Sequence, residues 1–359
     1  MKFALPGFGK KSVLGIDIGS GAVKAAEIEF KDRDKGFDLL GLGIAPMPHE
    51  AIVQGAFLNA GAIVATIQEA VESSGVKTRD AVVAVSGHSV IVKRVTLSRM
   101  SAEELEGQIQ WEAEQYIPFD VNEVNLEFQI LENSENPDQM DVLLVAAKKD
   151  LIDDYVQVLT EAGLNPVAVD VASFALANTF EINQDAEAEG VTALVNIGSH
   201  AVNICVLQDG VPAFTRDIST GGIQYTQEIQ KTLSVGFEEA ERIKRGDAGI
   251  DQNQAVLPQE VEDALRSVTD SVVGEISRSL DFFAATTDSS RIEKVLLSGG
   301  GAQVAGLARA LHERSGFDVE SLNPLARALP GTTYGADFLE AVAPSLGVAI
   351  GLASRRNRF

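Results

Sequence analysis

The sequence predicts an α/β fold in which two duplicated domains face each other across a cleft. Its 359 residues suffice for two domains of about 150 residues each. The apolar share of 45% and the charged share of 23% are ordinary for a folded globular chain. A strand, a tight turn and a second strand begin at Val13 and recur from Thr192, which places Asp17 and Asn196 at equivalent positions, 196 − 17 = 179 residues apart. Repetition at half the chain length indicates duplication.

Charge and cysteine content exclude several functions. The chain has 29 Lys and Arg residues against 52 Asp and Glu residues, a formal net charge of −23. This charge repels phosphate backbones and anionic headgroups, so we expect no nucleic acid partner and no broad electrostatic membrane binding. The single Cys205 lies in an apolar run and cannot form an internal disulfide, so we expect a core thiol in a cytosolic protein. No window supplies the about 20 uninterrupted apolar residues of a membrane helix, so we expect neither a membrane span nor a secretory signal.

The first half contains an inserted section of strands and helices. Ser101 and Glu104 form a capping box that predicts a helix start, and Pro118 ends that helix. We expect the order strand, helix, strand, strand, helix, at 81–97, 101–116, Val124–Leu131, Met140–Ala147 and a last helix capped by Asp150. These elements predict a compact α+β subdomain.

The second half is richer in helix. We expect helices at Gly222–Leu233, Phe237–Arg245 and Gln259–Ala285, and a further one at Val304–Leu311 after a strand and a glycine turn. The acidic stretch 183–190 predicts a surface connection between the halves. We therefore divide the chain into a first core subdomain (1–82 and 166–188), an inserted α+β subdomain (83–165), a second core subdomain (189–218 and 294–359) and a helical subdomain (219–293).

The first glycine turn lies between the two opening strands. Gly19 and Gly21, with Ser20 between them, let the backbone approach a ligand closely, and turn amides suit phosphate oxygens. Asp17 suits a hydrated magnesium ion, and Lys24 suits the neutralisation of phosphate charge. A plain glycine hairpin is the alternative interpretation of this motif.

Further ligand-binding motifs follow in the second half. The turn after Asn196, with Gly198, is expected to face the first turn so that two hairpins hold one polyphosphate; a relic of duplication is the alternative. Glu241 and Lys244 share one helix face and suit the two hydroxyls of a ribose, with a surface ion pair as the alternative. A strand that runs into three glycines ahead of a helix suits a phosphate or an adenosine. The remaining glycines of close backbone approach are Gly221, Gly222, Gly299, Gly300 and Gly301.

In this order, the motifs resemble the phosphate-1, phosphate-2 and adenosine motifs of the actin-like ATPase superfamily, which includes actin, sugar kinases, heat-shock chaperone ATPases and the cell-division protein FtsA. Within that superfamily, the chain resembles the PilM family of type IV pilus assembly proteins over nearly its whole length. The insertion at about 83–165 matches the relocated subdomain that FtsA and PilM proteins share. The most specific segments are Glu112–Phe119, Asp170–Leu176, Gly221 and Gly222 with Thr226, Ala240–Lys244 and Ala343–Leu352.

The resemblance implies a cytoplasmic, ATP-binding scaffold of type IV pilus biogenesis and twitching motility, with Mg²⁺ held by Asp17 and, through water, by Asn196. It implies that the cytoplasmic N-terminal tail of the inner-membrane protein PilN binds in a groove between the first core subdomain and the inserted one. That contact would link the protein to the pilus platform at the inner face of the inner membrane, and self-association is compatible with it. Trp111, Tyr116 and Phe119 are candidates for the groove, although core packing is the preferred interpretation.

Asn196 departs from the superfamily pattern, because many of these ATPases have Asp at the phosphate-2 turn. A neutral amide attracts a hydrated magnesium ion or a polarised water less than a carboxylate does, so we expect weak hydrolysis or none. We interpret His200 as a strand-edge residue and expect no replacement base near this turn.

Two alternative functions remain open. An FtsA-like filament protein of cell division is expected to end in a linker and an amphipathic helix, and the tail after Ala353 is too short for them. A small-molecule kinase is expected to have a catalytic Asp in a sugar-binding loop, and the insertion offers no obvious sugar pocket. In every case, small residues predict that the segments Ser173–Phe180 and Pro344–Ala353 cross closely at a hinge between the halves.

Overall fold

The computed structural model describes residues 12–32, 36–131, 136–184, 189–246, 259–286, 291–329 and 333–355. Half of the predicted connection 183–190, namely 185–188, and the end of the tail after Ala353 lie outside these residues.

The strands and helices of the first half and its insertion follow one another in this order: β1 (Leu14–Ile18), β2 (Ala22–Asp32), β3 (Gly36–Pro46), β4 (Ile52–Val53), β5 (Ala56–Phe57), α1 (Ala60–Ser74), β6 (Asp80–Val85), β7 (Val90–Ser98), α2 (Ala102–Ala113), β8 (Val124–Leu131), β9 (Gln139–Lys148), α3 (Lys149–Glu161), β10 (Asn165–Val171) and α4 (Ala172–Asn183).

The second half continues with β11 (Val191–Ile197), β12 (Val202–Gln208), β13 (Val211–Ile218), α5 (Ile223–Leu233), α6 (Phe237–Lys244), α7 (Gln259–Thr286), β14 (Lys294–Ser298), α8 (Leu307–Ser315), β15 (Asp318–Ser321), α9 (Ala336–Val342) and α10 (Gly347–Ala353). Short 3-10 turns lie at Val121–Glu123, Gly300–Gln303 and Ala343–Leu346.

The two halves contain sheets of the same topology. The first sheet has the order β10-β6-β1-β2-β3 and the second has the order β13-β12-β11-β14-β15. In each sheet a three-stranded antiparallel meander is extended by two strands that run parallel to its first strand. Two sheets with one connectivity confirm the duplication that the sequence predicted.

The inserted section forms its own antiparallel sheet in the order β7-β9-β8. Helix α2 covers one face of this sheet, and the predicted capping box is present, since Glu104 N donates to Ser101 Oγ and Ser101 N donates to Glu104 Oε2 at 2.8 Å. The other face packs through Leu143 and Val145 against Phe174 at the start of α4. The chain enters and leaves the sheet at one place, since Lys148 N donates to Ser89 O at 3.0 Å.

Helix α3 packs on the first half although it lies within the segment 83–165. Tyr155, Val158 and Leu159 of this helix are buried in one cluster with Ile63 and Val83 of that half. The boundaries of the four predicted subdomains therefore stay a proposal.

Two predicted helix starts were wrong. Helix α3 begins at Lys149, and Asp150 lies inside its first turn, where its Oδ1 accepts from Leu151 N at 2.7 Å instead of capping the helix. The helix predicted at Val304–Leu311 begins at Leu307, because Gly306 has φ +83° and separates it from the 3-10 turn after Gly299.

The predicted crossing of the two small-residue helices, α4 and α10, is confirmed. A Cβ added to Gly351 would lie 1.7 Å from Ala175 O, and Thr179 Oγ1 donates to Gly347 O at 2.5 Å. Each helix also contacts the sheet of the opposite half: α10 packs on β2 and β3, and α4 packs on β11 and β12. The crossing therefore joins the two halves through backbones in direct contact.

One described segment, 336–353, is long and apolar enough for a membrane span by length and composition, with a mean hydropathy of 1.4, although the sequence predicted none. Half of that window is buried inside the protein, and Pro344 lies in a 3-10 turn that separates α9 from α10. Burial of α10 in the crossing accounts for this hydropathy. Cys205 is buried as predicted, and burial, with a smaller contribution from Asp217, raises the pKa of its thiol to about 12.

Candidate functional site

The first glycine turn is the tight end of the β1–β2 hairpin. Gly19 N donates to Ala22 O at 3.1 Å. Asp17 and Lys24 are directly opposite on the two strands, and Lys24 Nζ lies 3.0 Å from Asp17 Oδ2, with side-chain exposures of 15% and 20%. The carboxylate and the ammonium predicted to bind magnesium and phosphate are thus paired with each other and are both partly exposed.

The second glycine turn repeats this geometry and touches the first one. Gly198 N donates to Ala201 O at 2.8 Å, in the same relation as Gly19 to Ala22. A Cβ added to Gly21 would lie 3.1 Å from Ser199 Cβ. The two turns therefore lie against each other, and a cleft that they share for one polyphosphate stays a proposal.

His200 lies at the contact between these turns. Its Nδ1 lies 2.9 Å from Ser20 Oγ. His200 lies in the turn between β11 and β12 and in neither strand, so its interpretation as a strand-edge residue was wrong. Burial, and then the nearby charges of His49 and Lys244, lowers the pKa of His200. The ring is therefore a neutral group at physiological pH, with one nitrogen against the first turn. Sequence reasoning could not find this contact, because Ser20 and His200 are 180 residues apart and meet only when the two halves pack together.

Gly221 and Gly222 support the second turn. Gly222 N donates to Gly198 O at 2.9 Å and Ile223 N donates to Ser199 O at 2.8 Å, while a Cβ added to Gly221 would lie 2.6 Å from both carbonyl oxygens. Gly221 is therefore needed for packing against the turn. Gly222 lies at the border of the cleft, where an added Cβ would be 3.8 Å from Lys244 Nζ.

The third glycine turn follows β14 and packs against the second turn. Gly299 has φ +92°, and an added Cβ would lie 2.3 Å from Ile197 O; at Gly301 it would lie 2.7 Å from Ile197 Cγ2. At Gly300 an added Cβ would have no atom within 4 Å in the part of the chain that the structure describes. Two of the three glycines are thus required by packing, and Gly300 alone borders open space.

Lys244 is the centre of a polar cluster beside the second turn. Its Nζ lies 2.5 Å from Glu241 Oε1, 2.9 Å from Thr226 Oγ1 and 3.3 Å from Gly222 O. Burial alone would raise the pKa of Glu241, but hydrogen bonds from Lys244 and Thr226 outweigh it and hold that pKa below its ordinary value. Burial lowers the pKa of Lys244, and Glu241 partly offsets this. Thr226 was not predicted as a site residue; its spacing of four from Gly222 on one helix was the available signal.

Asn196 directs its amide nitrogen away from the glycine turns. Its Nδ2 donates to Asn203 Oδ1 at 3.1 Å, and Asn203 Nδ2 donates to Asp217 Oδ1 at 2.8 Å. Within the described residues, no group of three or more His, Cys, Asp or Glu side chains forms a metal site by itself. The carboxylate of Asp17 and the amide oxygen of Asn196 fit a magnesium ion that keeps its waters and takes phosphate oxygens as ligands.

The aromatic residues predicted beside the inserted subdomain differ in burial. Trp111 on α2 is 79% exposed, so the preferred interpretation of core packing was wrong for this residue. Tyr116 and Phe119 are partly buried against the core of the inserted section, and Lys148 Nζ lies 4.7 Å from the centre of the Phe119 ring. Helix α2 turns Leu105, Ile109 and Ala113 inward, which leaves Trp111 on the outer face.

Several known proteins are similar to this chain in sequence or in structure. A family model described as type IV pilus assembly protein PilM matches residues 15–357. A solved structure of a PilM–PilN type IV pilus biogenesis complex is similar with 28% identity and a TM-score of 0.84, over 97% of this chain and 99% of that chain. The cell division protein FtsA of Bacillus subtilis is 24% identical over 307 residues, which are 79% of this chain and 67% of FtsA.

A solved structure of the ethanolamine utilization protein EutJ from Carboxydothermus hydrogenoformans shares the fold alone. Its identity is 16% and its TM-score is 0.56, over 97% of this chain and 90% of EutJ. Together with the duplicated sheets, these likenesses confirm the predicted actin-like fold.

Proposed function

Because the chain belongs to the family of type IV pilus assembly proteins PilM, we propose that it is an ATP-binding scaffold of pilus biogenesis that holds the cytoplasmic tail of a PilN-type membrane protein. One observation carries the nucleotide part: the two duplicated glycine turns meet, with Ser20 of the first half 2.9 Å from His200 of the second. The third glycine turn and the Lys244–Glu241 pair border the same place, so one surface offers contacts for phosphates, ribose and base.

Each part of the nucleotide has a matching group. Lys24 and the amides of the two turns suit the phosphates, since cations and turn amides both favour anionic oxygens. Glu241 and Lys244 suit the ribose hydroxyls, and the space beside Gly300 suits the adenosine. Bound magnesium would supply neutralisation of the phosphate charge, with Asp17 and Asn196 holding its water ligands.

Hydrolysis in this cleft is proposed to be slow. Asp17 is paired with Lys24, Asn196 offers only an amide, and the neutral His200 ring is engaged with Ser20 Oγ through its Nδ1. General acid–base assistance is worth about 10²–10⁴-fold, so its absence alone brings turnover far below the ordinary enzyme range of about 1–1,000 per second. ATP would then act chiefly as a conformational lock between the two halves.

The partner is proposed to bind between the inserted sheet and the first half. Leu143 and Val145 pack there on Phe174, and Val92 and Leu131 remain partly buried at the margins of this contact. Apolar margins beside a sheet edge suit an extended peptide. The similar PilM–PilN complex supports a PilN-type tail as the occupant, which would hold this protein in the cytoplasm at the inner face of the inner membrane and on the pilus platform.

A membrane-associated filament protein of cell division is a second candidate, favoured by the likeness to FtsA. Light scattering with ATP and magnesium tests it, because a filament former gives a large increase that reverses on removal of the nucleotide.

Isothermal titration calorimetry tests the main proposal. We expect ATP with magnesium to bind, a synthetic peptide copying a PilN cytoplasmic tail to bind, and the peptide to bind more tightly when ATP is present. Lack of ATP binding would contradict the nucleotide part. Lack of peptide binding in both states would contradict the partner part.

A further inference from the structure

We propose that Asp217 and Asn203 are positioning residues that fix the orientation of the Asn196 side-chain amide, so that its carbonyl oxygen faces the third glycine turn of the proposed nucleotide site. The proposal deepens the proposed function and rests on it where magnesium is concerned. It concerns groups behind the cleft that do not touch a nucleotide themselves.

The three side chains form one row across three neighbouring strands. Asn196 on β11 is directly opposite Asn203 on β12, and Asn203 is directly opposite Asp217 on β13. Asn196 Nδ2 donates to Asn203 Oδ1 at 3.1 Å, and Asn203 Nδ2 donates to Asp217 Oδ1 at 2.8 Å. Gly87 N of the first half donates to Asp217 Oδ2 at 2.5 Å. The row therefore runs from the second glycine turn to the loop that precedes β7.

The carboxylate sets the direction of every bond in this row. An ionised Asp accepts hydrogen bonds and donates none, so Asn203 must present its amide nitrogen to Asp217. The oxygen of Asn203 then faces Asn196, which must present its own nitrogen in return. An amide has two orientations of similar shape, so the group at position 217, which accepts from Gly87 N, decides which of them both asparagines adopt.

The selected orientation matters at the cleft. A Cβ added to Gly299 would lie 2.8 Å from Asn196 Oδ1, so this oxygen faces the third glycine turn while the nitrogen faces Asn203. A carbonyl oxygen accepts a hydrogen bond from a magnesium-bound water, whereas an amide NH₂ group in its place would repel that water's protons. Burial of Asn203, which is 7% exposed, keeps solvent from relaxing the row.

Substitutions can reverse the row without removing a hydrogen bond. In Asp217→Asn, the new amide oxygen accepts from Gly87 N and its nitrogen donates to Asn203 Oδ1, so both asparagines turn over and Asn196 presents its NH₂ group to the cleft. In Asn196→Asp, a carboxylate faces Asn203 Oδ1 while Asp217 holds the other side, so one link is repulsive in either orientation. The double variant Asn196→Asp with Asp217→Asn satisfies every link with the direction reversed.

Chemical unfolding of wild type, both single variants and the double variant tests the row without a nucleotide. We expect Asn196→Asp to be destabilised and the double variant to recover most of that loss. If Asn196→Asp does not fold, a double variant that does fold shows the same recovery of stability. If neither variant folds, the proposal is overturned. Additive losses in the double variant also overturn it. Asp80→Asn is the matched control, because Asn165 Nδ2 donates to Asp80 Oδ1 in the same kind of pair at the other end of β6.

Calorimetry of ATP with and without magnesium tests the consequence at the cleft. We expect Asp217→Asn to lose about tenfold or more of the magnesium-dependent gain in affinity, the scale of one charge-assisted contact, and the double variant to regain it. An unchanged gain in Asp217→Asn overturns the orienting role. Failure of wild type to bind ATP would contradict the proposed function. The unfolding free energies of the four proteins would still decide whether the hydrogen bonds of the row share one direction.

Discussion

His200 Nδ1 lies 2.9 Å from Ser20 Oγ, and this contact joins the two duplicated turns across the cleft. The turns come from strands about half the chain apart, yet their tips touch, and helices α4 and α10 of the same two halves cross in direct backbone contact. The approach of the two halves at the cleft is therefore linked to the crossing of these helices. Domain closure around a ligand would be a hinge motion at that crossing.

The neutral ring of His200 predicts a pH dependence of stability. Burial, with His49 and Lys244, lowers the pKa of His200 in the folded protein below its ordinary value of 6.5, so the unfolded chain binds more protons between these two values. Stability from the neutral ring is therefore complete above the unfolded pKa and falls as the pH falls below it. We expect the free energy of unfolding to drop less between about pH 7.5 and about pH 5.5 in His200→Gln than in wild type.

His312→Gln, on α8 outside the cleft, is the control for this measurement. An equal pH dependence in wild type and His200→Gln would show that the ring does not titrate differently in the fold.

Lys24→Ala is expected to weaken ATP binding by about 1–3 kcal/mol, because one charge-assisted phosphate contact is lost. The substitution also frees the Asp17 carboxylate, so the loss should be larger without magnesium than with it. Calorimetry measures both affinities. Lys231→Ala removes an exposed lysine that pairs with Glu228 on α5, and it should leave both values unchanged. An unaltered ATP affinity in Lys24→Ala would contradict the assignment of the first glycine turn as a phosphate-binding turn.

The helix crossing predicts opposite effects for two glycine substitutions. Gly351→Ala puts a methyl group 1.7 Å from Ala175 O, so the helices must separate, and we expect a loss of about 1–3 kcal/mol or more of stability. Gly107→Ala lies in α2, where an added Cβ has no neighbour within 4 Å among the described residues, and it should gain about 0.5–1 kcal/mol. Chemical unfolding measures both. Equal effects of the two substitutions would contradict a close crossing.

Much of the fold and part of the site followed from the sequence. The duplicated turns, the capping box at Ser101 and the small residues of the crossing helices are local patterns, so their structures could be predicted from neighbours along the chain. The PilM resemblance added the identification of the insertion with the subdomain that FtsA and PilM proteins share, and of the glycine turns with phosphate and adenosine motifs. These features could be predicted without knowing which residues pair across neighbouring strands.

The missed features all depend on register or on the face of an element. Asn203 and Asp217 join Asn196 only because β11, β12 and β13 pair in one particular register. His200 contacts Ser20 only once the two halves are assembled. Trp111 is exposed because α2 turns other residues inward. Spacing along the chain carries no information on the first two features, whereas the helical spacing of Leu105, Ile109 and Ala113 was the available signal for Trp111.

The inserted sheet can be removed at one point, which allows a sharp test of the partner groove. Lys148 N donates to Ser89 O at 3.0 Å, so a short glycine linker can replace Val90–Ala147 between neighbouring ends. A deletion of all of 83–165 is unsuitable, because it removes Tyr155, Val158 and Leu159 from the core of the first half. The smaller excision keeps α3 and all of β6.

We expect the excised protein to fold, to keep its ATP affinity and to lose the affinity for a PilN-tail peptide, because the apolar contact of Leu143 and Val145 with Phe174 borders the proposed groove. Circular dichroism and ATP calorimetry establish folding, and peptide calorimetry gives the result. Phe174→Ser in the full chain is the matched variant on the other wall of the groove, and it should weaken the peptide as well. Full peptide affinity in a folded excised protein would show that the tail binds elsewhere. If the excised protein loses peptide affinity while Phe174→Ser keeps it in full, the site is restricted to the inserted sheet.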